Sequence, residues 1–426
     1  MKQYKLIFAI FFLFNNIPNA QTKFLHCGKI IDIFSEKPIL KSTIAVKDDK
    51  IIWIKKGYLK KTTDEQIIDL TDKTVLPGLM DMHTHLSGQS NPKKYLDRFT
   101  KNISDIAYES VEYSEKTLMS GFTTVREVGG PISISLRNAI NKNLVIGPRI
   151  YAAGKSIATT GGHADPTNGM KFEIMGDPGP KEGVINGVDD ARKAVRQRYK
   201  NGADLIKITA TGGVLSVAKN SQNPQFTEKE IKTIVETAND YGMHVAAHAH
   251  GIEGMQRAIK AGVKSIEHGT LMDDETIALM KKFGTYYVPT ISAGKFVAEK
   301  AREPNYYPDV IKPKALEIGP KIQNTFSKAF KAGVKIAFGT DSGVSYHGDN
   351  AKEFIYMVEA GMKPIDAIRS ATINAAEMLG IDDQLGTIEP GKVADIIAVT
   401  GDPLKDISCL EKVDFVMKNG HVFKKE

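Results

Sequence analysis

The sequence predicts an α/β fold: a (β/α)8 TIM-type barrel carrying a small β-sandwich domain assembled from both ends of the chain. Three observations carry that prediction. Short apolar segments alternate with amphipathic helical stretches through the middle of the chain, antiparallel-strand texture occurs near both termini, and several glycine-rich loops follow the apolar segments.

The 426 residues, 42% of them hydrophobic and 25% charged, suffice for a large barrel with an appendage. The net charge of +7 is spread along the sequence, which describes a solvated surface and argues against a nucleic-acid partner. The start, Met-Lys-Gln-Tyr-Lys, then an apolar run over residues 6–14 and a small residue at Ala20, describes a secretory signal over residues 1–20. An uncleaved anchor is the alternative. No later run approaches ~20 apolar residues, so the expectation is an exported protein, periplasmic or secreted, with no stable membrane insertion once the signal is removed.

Residues 24–54 alternate apolar and polar positions in short runs broken at 35–38 and 48–50, and the same texture returns at 392–399 and 413–423. Neither stretch buries a sheet face alone. Together they predict one composite β-sandwich domain over residues 21–76 and 383–426. Cys27 and Cys409 fall in these two regions, where a disulfide and two free thiols are both open. Two cysteines exclude a Cys-rich metal site.

Residues 77–382 hold the barrel. Its eight strands are expected within 75–85, 123–128, 149–153, 205–210, 244–249, 265–269, 286–291 and 335–340. Intervening helices carry their own signals: Thr227 and Glu230 form a capping box, and Ile231, Ile234, Val235 and Ala238 line one face behind it. A doubly wound open sheet is the rival, and no GxGxxG loop supports it. Loops 155–187, 211–226 and 343–350 follow strands, so they gather at the carboxyl end, where such barrels build active sites.

Seven of the ten histidines, His83, His85, His163, His248, His250, His268 and His347, lie at or just beyond a strand's carboxyl end. In a strand, residues two apart face the same way, so His83 and His85 can grip one ion. His248 and His268 end the fifth and sixth strands and become neighbours when those strands pair. Each alone is more often a hydrogen-bonded core histidine; as a pair beside His83 and His85 they read as ligands. Lys207 sits in the apolar Leu205-Ile206-Lys207-Ile208, where a bare ammonium is costly. One escape is a lowered pKa and reaction with carbon dioxide to a metal-bridging carbamate. The other is an ion pair with a barrel carboxylate. Asp341, after the eighth strand, can bind a metal and accept a proton, or cap a turn. His163 and His250 are candidate substrate contacts, and Arg126 either receives a substrate carboxylate bidentately or forms a structural ion pair with Glu127 or another acid.

With these residues assembled, the chain resembles the amidohydrolase superfamily over essentially its whole mature length. The carrying motifs are Pro77-Gly78-Leu79-Met80-Asp81-Met82-His83-Thr84-His85, Gly121-Phe122-Thr123-Thr124-Val125-Arg126, His248-Ala249-His250-Gly251, Glu267-His268-Gly269, Gly339-Thr340-Asp341, and the tail segment from Leu385 to Asp395. Lys207 points to the two-metal branch with a carboxylated lysine. Gly212-Gly213-Val214-Leu215-Ser216 and the stretch from His347 to Glu353 are similar to the imidazolonepropionase-related group that includes Xaa-Pro and Xaa-Arg/Lys dipeptidases. Glu127 stands where relatives commonly carry Asp.

The resemblance implies two divalent metal ions, zinc being the expected one. His83, His85, Lys207 and Asp341 would hold one ion, and carboxylated Lys207, His248 and His268 the other, with a hydroxide between them and Asp341 carrying the proton to the leaving amine. The expected substrate is a dipeptide or another small amide, with a cyclic imide, imidazolone or N-acyl compound as the alternative. A deaminase on this fold would carry a glutamate at position 251, which here is glycine. Homo-oligomerisation is left open.

Overall fold

The computed structural model describes residues 21–426 apart from 36, 61–65 and 219, so the expected signal lies outside the described residues. Strands β1 (Lys23–Ile30), β2 (Ile39–Lys47), β3 (Lys50–Lys56) and β4 (Gln66–Pro77) come from the start of the chain. Then follow β5 (Leu79–Thr84), β6 (Phe122–Glu127), β7 (Arg149–Ala152), the short pair β8 (Ala158–Thr159) and β9 (Val184–Ile185), β10 (Ile206–Thr209), β11 (Val245–Ala249), β12 (Ser265–His268) and β13 (Tyr286–Val288). The tail adds β14 (Ile396–Val399), β15 (Val413–Lys418) and β16 (His421–Lys425).

The two ends of the chain meet in one seven-stranded sheet of order β16-β15-β14-β4-β1-β2-β3. The sheet curls until its β3 edge reaches the residues before β14, where Ile51 N donates to Lys392 O and Ala394 N to Asp49 O. Curling lets one sheet bury its own apolar face, formed by Leu25, Ile44, Val75, Ile396 and Phe415. Both cysteines are free, Cys27 buried in β1 and Cys409 near the tail, which closes the disulfide alternative.

The central strands are parallel and stand in two runs, β5-β6-β7 and β10-β11-β12-β13. Backbone hydrogen bonds continue across both gaps. Between β7 and β10, Asp204 N donates to Ala152 O at 2.8 Å and Ile157 N to Lys207 O at 2.8 Å. On the other side, residues 335–341 lie between β13 and β5: Tyr287 N donates to Lys335 O, Met82 N to Phe338 O and Asp341 N to His83 O.

Residues 335–340, expected as the eighth strand, form isolated bridges instead of a regular ladder. Gly339 lies at a close crossing of this stretch with its neighbours. A Cβ there would stand 2.3 Å from Val288 Cγ1 and 3.1 Å from His83 Cβ, so the backbone crosses closer to its neighbours than a side chain permits.

Helices pack outside these strands through a continuous apolar core that includes Ile206, Ile208, Val245 and Ile266 on strands and Ile231, Met255, Met280 and Phe326 on helices. The helix Glu228–Asp240 shows how local signals feed that core. Its capping box forms, with Thr227 N donating to Glu230 Oε2 at 2.8 Å, and Ile231, Ile234, Val235 and Ala238 are buried. Among the described residues no helix is long and apolar enough to cross a membrane.

Candidate metal centre

β5 is buried along its whole length and delivers His83 at its end, with His85 just beyond. Asp81, one turn of the pleat earlier, locks this strand to the returning chain: its carboxylate accepts from Thr340 N, Thr340 Oγ1 at 2.6 Å and Asn350 Nδ2 at 2.8 Å. Asp341 is thereby held opposite the histidine pair. His83 Nε2 lies 3.5 Å and His85 Nε2 3.3 Å from Asp341 Oδ1, and the ligand atoms of the three residues all fall within 4.8 Å of one another. Asp341 Oδ1 is buried with no hydrogen-bond partner.

His248 and His268 extend the cluster without joining that triad. Their rings are 4.8 Å apart by centroid, and His268 is 4.9 Å from His83. His268 directly follows Glu267, so strict strand alternation would send the two side chains to opposite faces. Both nevertheless reach the site. His268 manages this by a left-handed backbone, φ 69°, and Thr290 and Asp341 beside it share that conformation at 52° and 59°. Three non-glycine residues at positive φ, each costing about 1–3 kcal/mol, mark a place where geometry is held against local preference.

Each of the four histidines has one ring nitrogen occupied by the protein. His83 Nδ1 meets Glu267 Oε2 at 2.7 Å, His85 Nδ1 meets Gly129 O at 2.8 Å, His248 Nε2 meets Gly212 O at 3.0 Å, and His268 Nδ1 meets Thr290 Oγ1 at 2.8 Å. The second nitrogen of each is left for another partner, as in rings that bind metal. Burial, and after it the Lys207 ammonium, pushes His85 down to about 3 and His83 well below the ordinary histidine range. Burial followed by neighbouring imidazoles does the same at His248 and His268. Neutral imidazoles with a free lone pair and an unpartnered buried carboxylate oxygen form a donor set that fits a divalent cation.

Lys207 lies on β10 between the fully buried Ile206 and Ile208. Among the described residues it makes no direct ion pair or hydrogen bond, and the Glu267 and Asp341 carboxylates act on its charge from beyond contact distance. Burial lowers its ammonium below the ordinary lysine range and raises the Asp341 carboxyl above its own. His250 bonds Thr270 Oγ1 at 2.9 Å, and His163 stacks on His248 with centroids 4.4 Å apart, its Nδ1 buried without a partner. One cavity of about 700 Å³ is lined by the six expected ligands together with His163 and His250.

Arg126 is the correction. Its side chain is fully enclosed, with Nε donating to Met82 O at 2.7 Å, Nη1 to Ser265 Oγ at 2.9 Å and Nη2 to Glu267 Oε1 at 2.7 Å. It does not reach the cavity and receives no substrate. The structural ion pair is made with Glu267, not Glu127. Glu127 instead is buried with Oε1 unpartnered, and burial pushes its carboxyl up to about 7. His347 stands aside as well, stacked on Tyr113 and bonded to Gly88 O at 2.9 Å.

Sequence reasoning missed Glu267 as the residue that orients His83, although a carboxylate inside a buried strand must be paired. It also missed Lys314. That ammonium donates to the carbonyls of Gly213, Ser216 and Ala218 and so staples the loop over the cavity. Within that loop Gly213 presses on His163: a Cβ would stand 2.2 Å from its ring. Gly213→Ala is therefore expected to destabilise the protein by about 1–3 kcal/mol in a urea melt, because the ring is backed by His248 and cannot retreat.

The amidohydrolase family profile matches residues 74–423. The crystal structure of a Xaa-Pro dipeptidase with bound methionine shares 54% identity, superposes with a TM-score of 0.91, and is covered over 95% of this chain and 100% of that one. Ochratoxinase of Aspergillus niger is 32% identical over 431 aligned positions, covering 95% of this chain and 87% of that protein. The imidazolonepropionase of Geobacillus kaustophilus is 24% identical, with 85% and 87% covered. Structures of this family imply a TIM-type barrel with an extra domain, consistent with the parallel strands and the curled sheet seen here. The match over most of the chain and the imidazole and carboxylate cluster lead to one conclusion: the protein belongs to the amidohydrolase family, metal-dependent hydrolases acting on amide bonds.

Proposed function

We propose that this chain is an exported, binuclear zinc amidohydrolase that cleaves dipeptides, its two runs of parallel strands closing as one (β/α)8 barrel. The observation that carries the reading is the convergence on one cavity of four neutral imidazoles, each with a free nitrogen, the unpartnered Asp341 oxygen and the bare Lys207 amine. His83, His85 and Asp341 would hold one ion, His248 and His268 the second, and Lys207, carboxylated by carbon dioxide, would serve both. Bound there, divalent ions supply Lewis-acid polarisation of the scissile carbonyl and an activated water.

The chain's own residues do the rest. Asp341 accepts a proton and delivers it to the leaving amine, a task suited to a carboxyl whose burial raises its affinity for protons. His163 and His250 contact the substrate from the cavity wall. The Xaa-Pro dipeptidase likeness supports a peptide substrate; the ochratoxinase likeness supports a second reading, a non-peptide amide. Export rests on residues 1–20 alone, and the N-terminal mass of the protein recovered outside the cytoplasm tests it.

Protein expressed with supplementary zinc is expected to carry about two zinc ions per chain and to hydrolyse members of a dipeptide library. Chelation should abolish the activity and zinc should restore it. A metal-free, chelator-resistant enzyme would defeat the metal reading, and hydrolysis confined to N-acyl or cyclic amides would replace the dipeptidase reading by the second one.

A further inference from the structure

With Arg126 sealed in the interior, a charged substrate end must find another cation. Five line the cavity: Lys94, Arg98, Lys101, Lys155 and Lys207. Lys101 is neutralised by Asp97 at 3.3 Å and Glu109 at 2.7 Å, while Arg98 and Lys155 are exposed. Lys94 is different. It is half-buried, its Nζ has one long hydrogen bond to Gly343 O at 3.4 Å, and among the described residues no carboxylate comes within ion-pair distance of it, Asp341 and Asp97 acting on its charge only from farther off.

Its position is also fixed. The next residue, Tyr95, donates from Oη to Leu215 O at 2.7 Å, and that loop is the one stapled by Lys314. The helix Lys94–Thr100 is thus braced against the opposite wall of the cavity. Gly343 lies two residues past Asp341, so the ammonium stands beside the reacting end of the cavity. An ammonium that is partly desolvated yet keeps free donors favours an anion that fills them, because the charge-assisted bond forms at little further desolvation cost.

We propose that Lys94 is the specificity residue that receives the free carboxylate of the substrate, an inference that rests on reading the cavity as a site for dipeptides or N-acyl amino acids. Val214, Leu215 and Val344 line the same cavity and belong to one apolar cluster with Tyr95, the residue after Lys94, which suits an apolar side chain attached to that carboxylate.

The test compares acid with amide. For the zinc-loaded enzyme, kcat/KM on a dipeptide should exceed that on its C-terminal amide by about tenfold or more, chiefly through KM. Lys94→Met should bring the ratio close to one, and Lys94→Arg should restore most of it. Calorimetric binding of N-acetyl-L-leucine and N-acetyl-L-leucine amide to the same three proteins gives a second readout. If no dipeptide is cleaved but the acid binds more tightly and Lys94→Met removes the difference, the dipeptidase reading fails and the inference stands. If the acid preference is missing from the unaltered protein, or persists undiminished in Lys94→Met, the inference is overturned whatever the enzyme cleaves.

Discussion

Lys207→Ala is expected to lose more than about a hundredfold in kcat/KM and at least one of its zinc ions, while resisting urea at least as well as the parent protein. Removing a residue that merely orients a ligand commonly costs 10–100-fold in metal affinity or activity, so removing a group that serves both ions should cost more. Stability should move the other way. Lys207 is buried beside Ile206 and Ile208 and makes no direct ion pair among the described residues, so the desolvation of its ammonium, the largest influence on it, is only partly offset by the Glu267 and Asp341 carboxylates. The truncated side chain opens onto an existing cavity, and no sealed void results. A buried neutral amine is also the form that reacts with carbon dioxide, so bicarbonate should speed zinc uptake by the metal-stripped parent and leave the alanine variant unaffected. Full activity in Lys207→Ala would dismiss the bridging role; a marked fall in stability would show that the lysine holds the barrel and not the ions.

What the sequence made legible follows the range over which each signal acts. The capping box at Thr227 and the apolar stripe behind it are local, and the helix Glu228–Asp240 forms as they specify. His83 and His85 are two apart on one strand, and His248 and His268 end strands that pair directly, so period and adjacency suffice to bring them together. Arg126 was ambiguous because its partners, Ser265 and Glu267, lie 139 and 141 residues away. No local pattern states that register. The eighth strand reads as an ordinary apolar run because a close backbone crossing at Gly339 is visible only once Val288 and His83 are placed. Lys94 is hidden for the opposite reason: its surroundings in the chain, Lys93-Lys94-Tyr95-Leu96-Asp97-Arg98, look like any solvated helix, and only the fold turns one of those lysines inward.

The link between the core and the metal centre runs through Glu267. One of its oxygens takes Arg126 Nη2 at 2.7 Å and the other takes His83 Nδ1 at 2.7 Å, and all three side chains are essentially inaccessible. Glu267→Ala should cost about 3–5 kcal/mol in a urea melt, since it leaves the Arg126 guanidinium charged, enclosed and without its counter-ion. It should also weaken zinc binding by roughly 10–100-fold, because nothing then fixes the His83 tautomer or the tilt of its ring.

The two effects can be separated. Pairing Glu267→Leu with Arg126→Met removes both buried charges and fills their space with apolar atoms, so most of the stability should return. The zinc affinity should not, because His83 Nδ1 still lacks its acceptor. If affinity recovers together with stability, Glu267 acts on the metal site only by keeping the fold intact. If stability returns alone, the carboxylate orients His83 directly, and an ion pair that looks purely structural is the outer support of the metal centre.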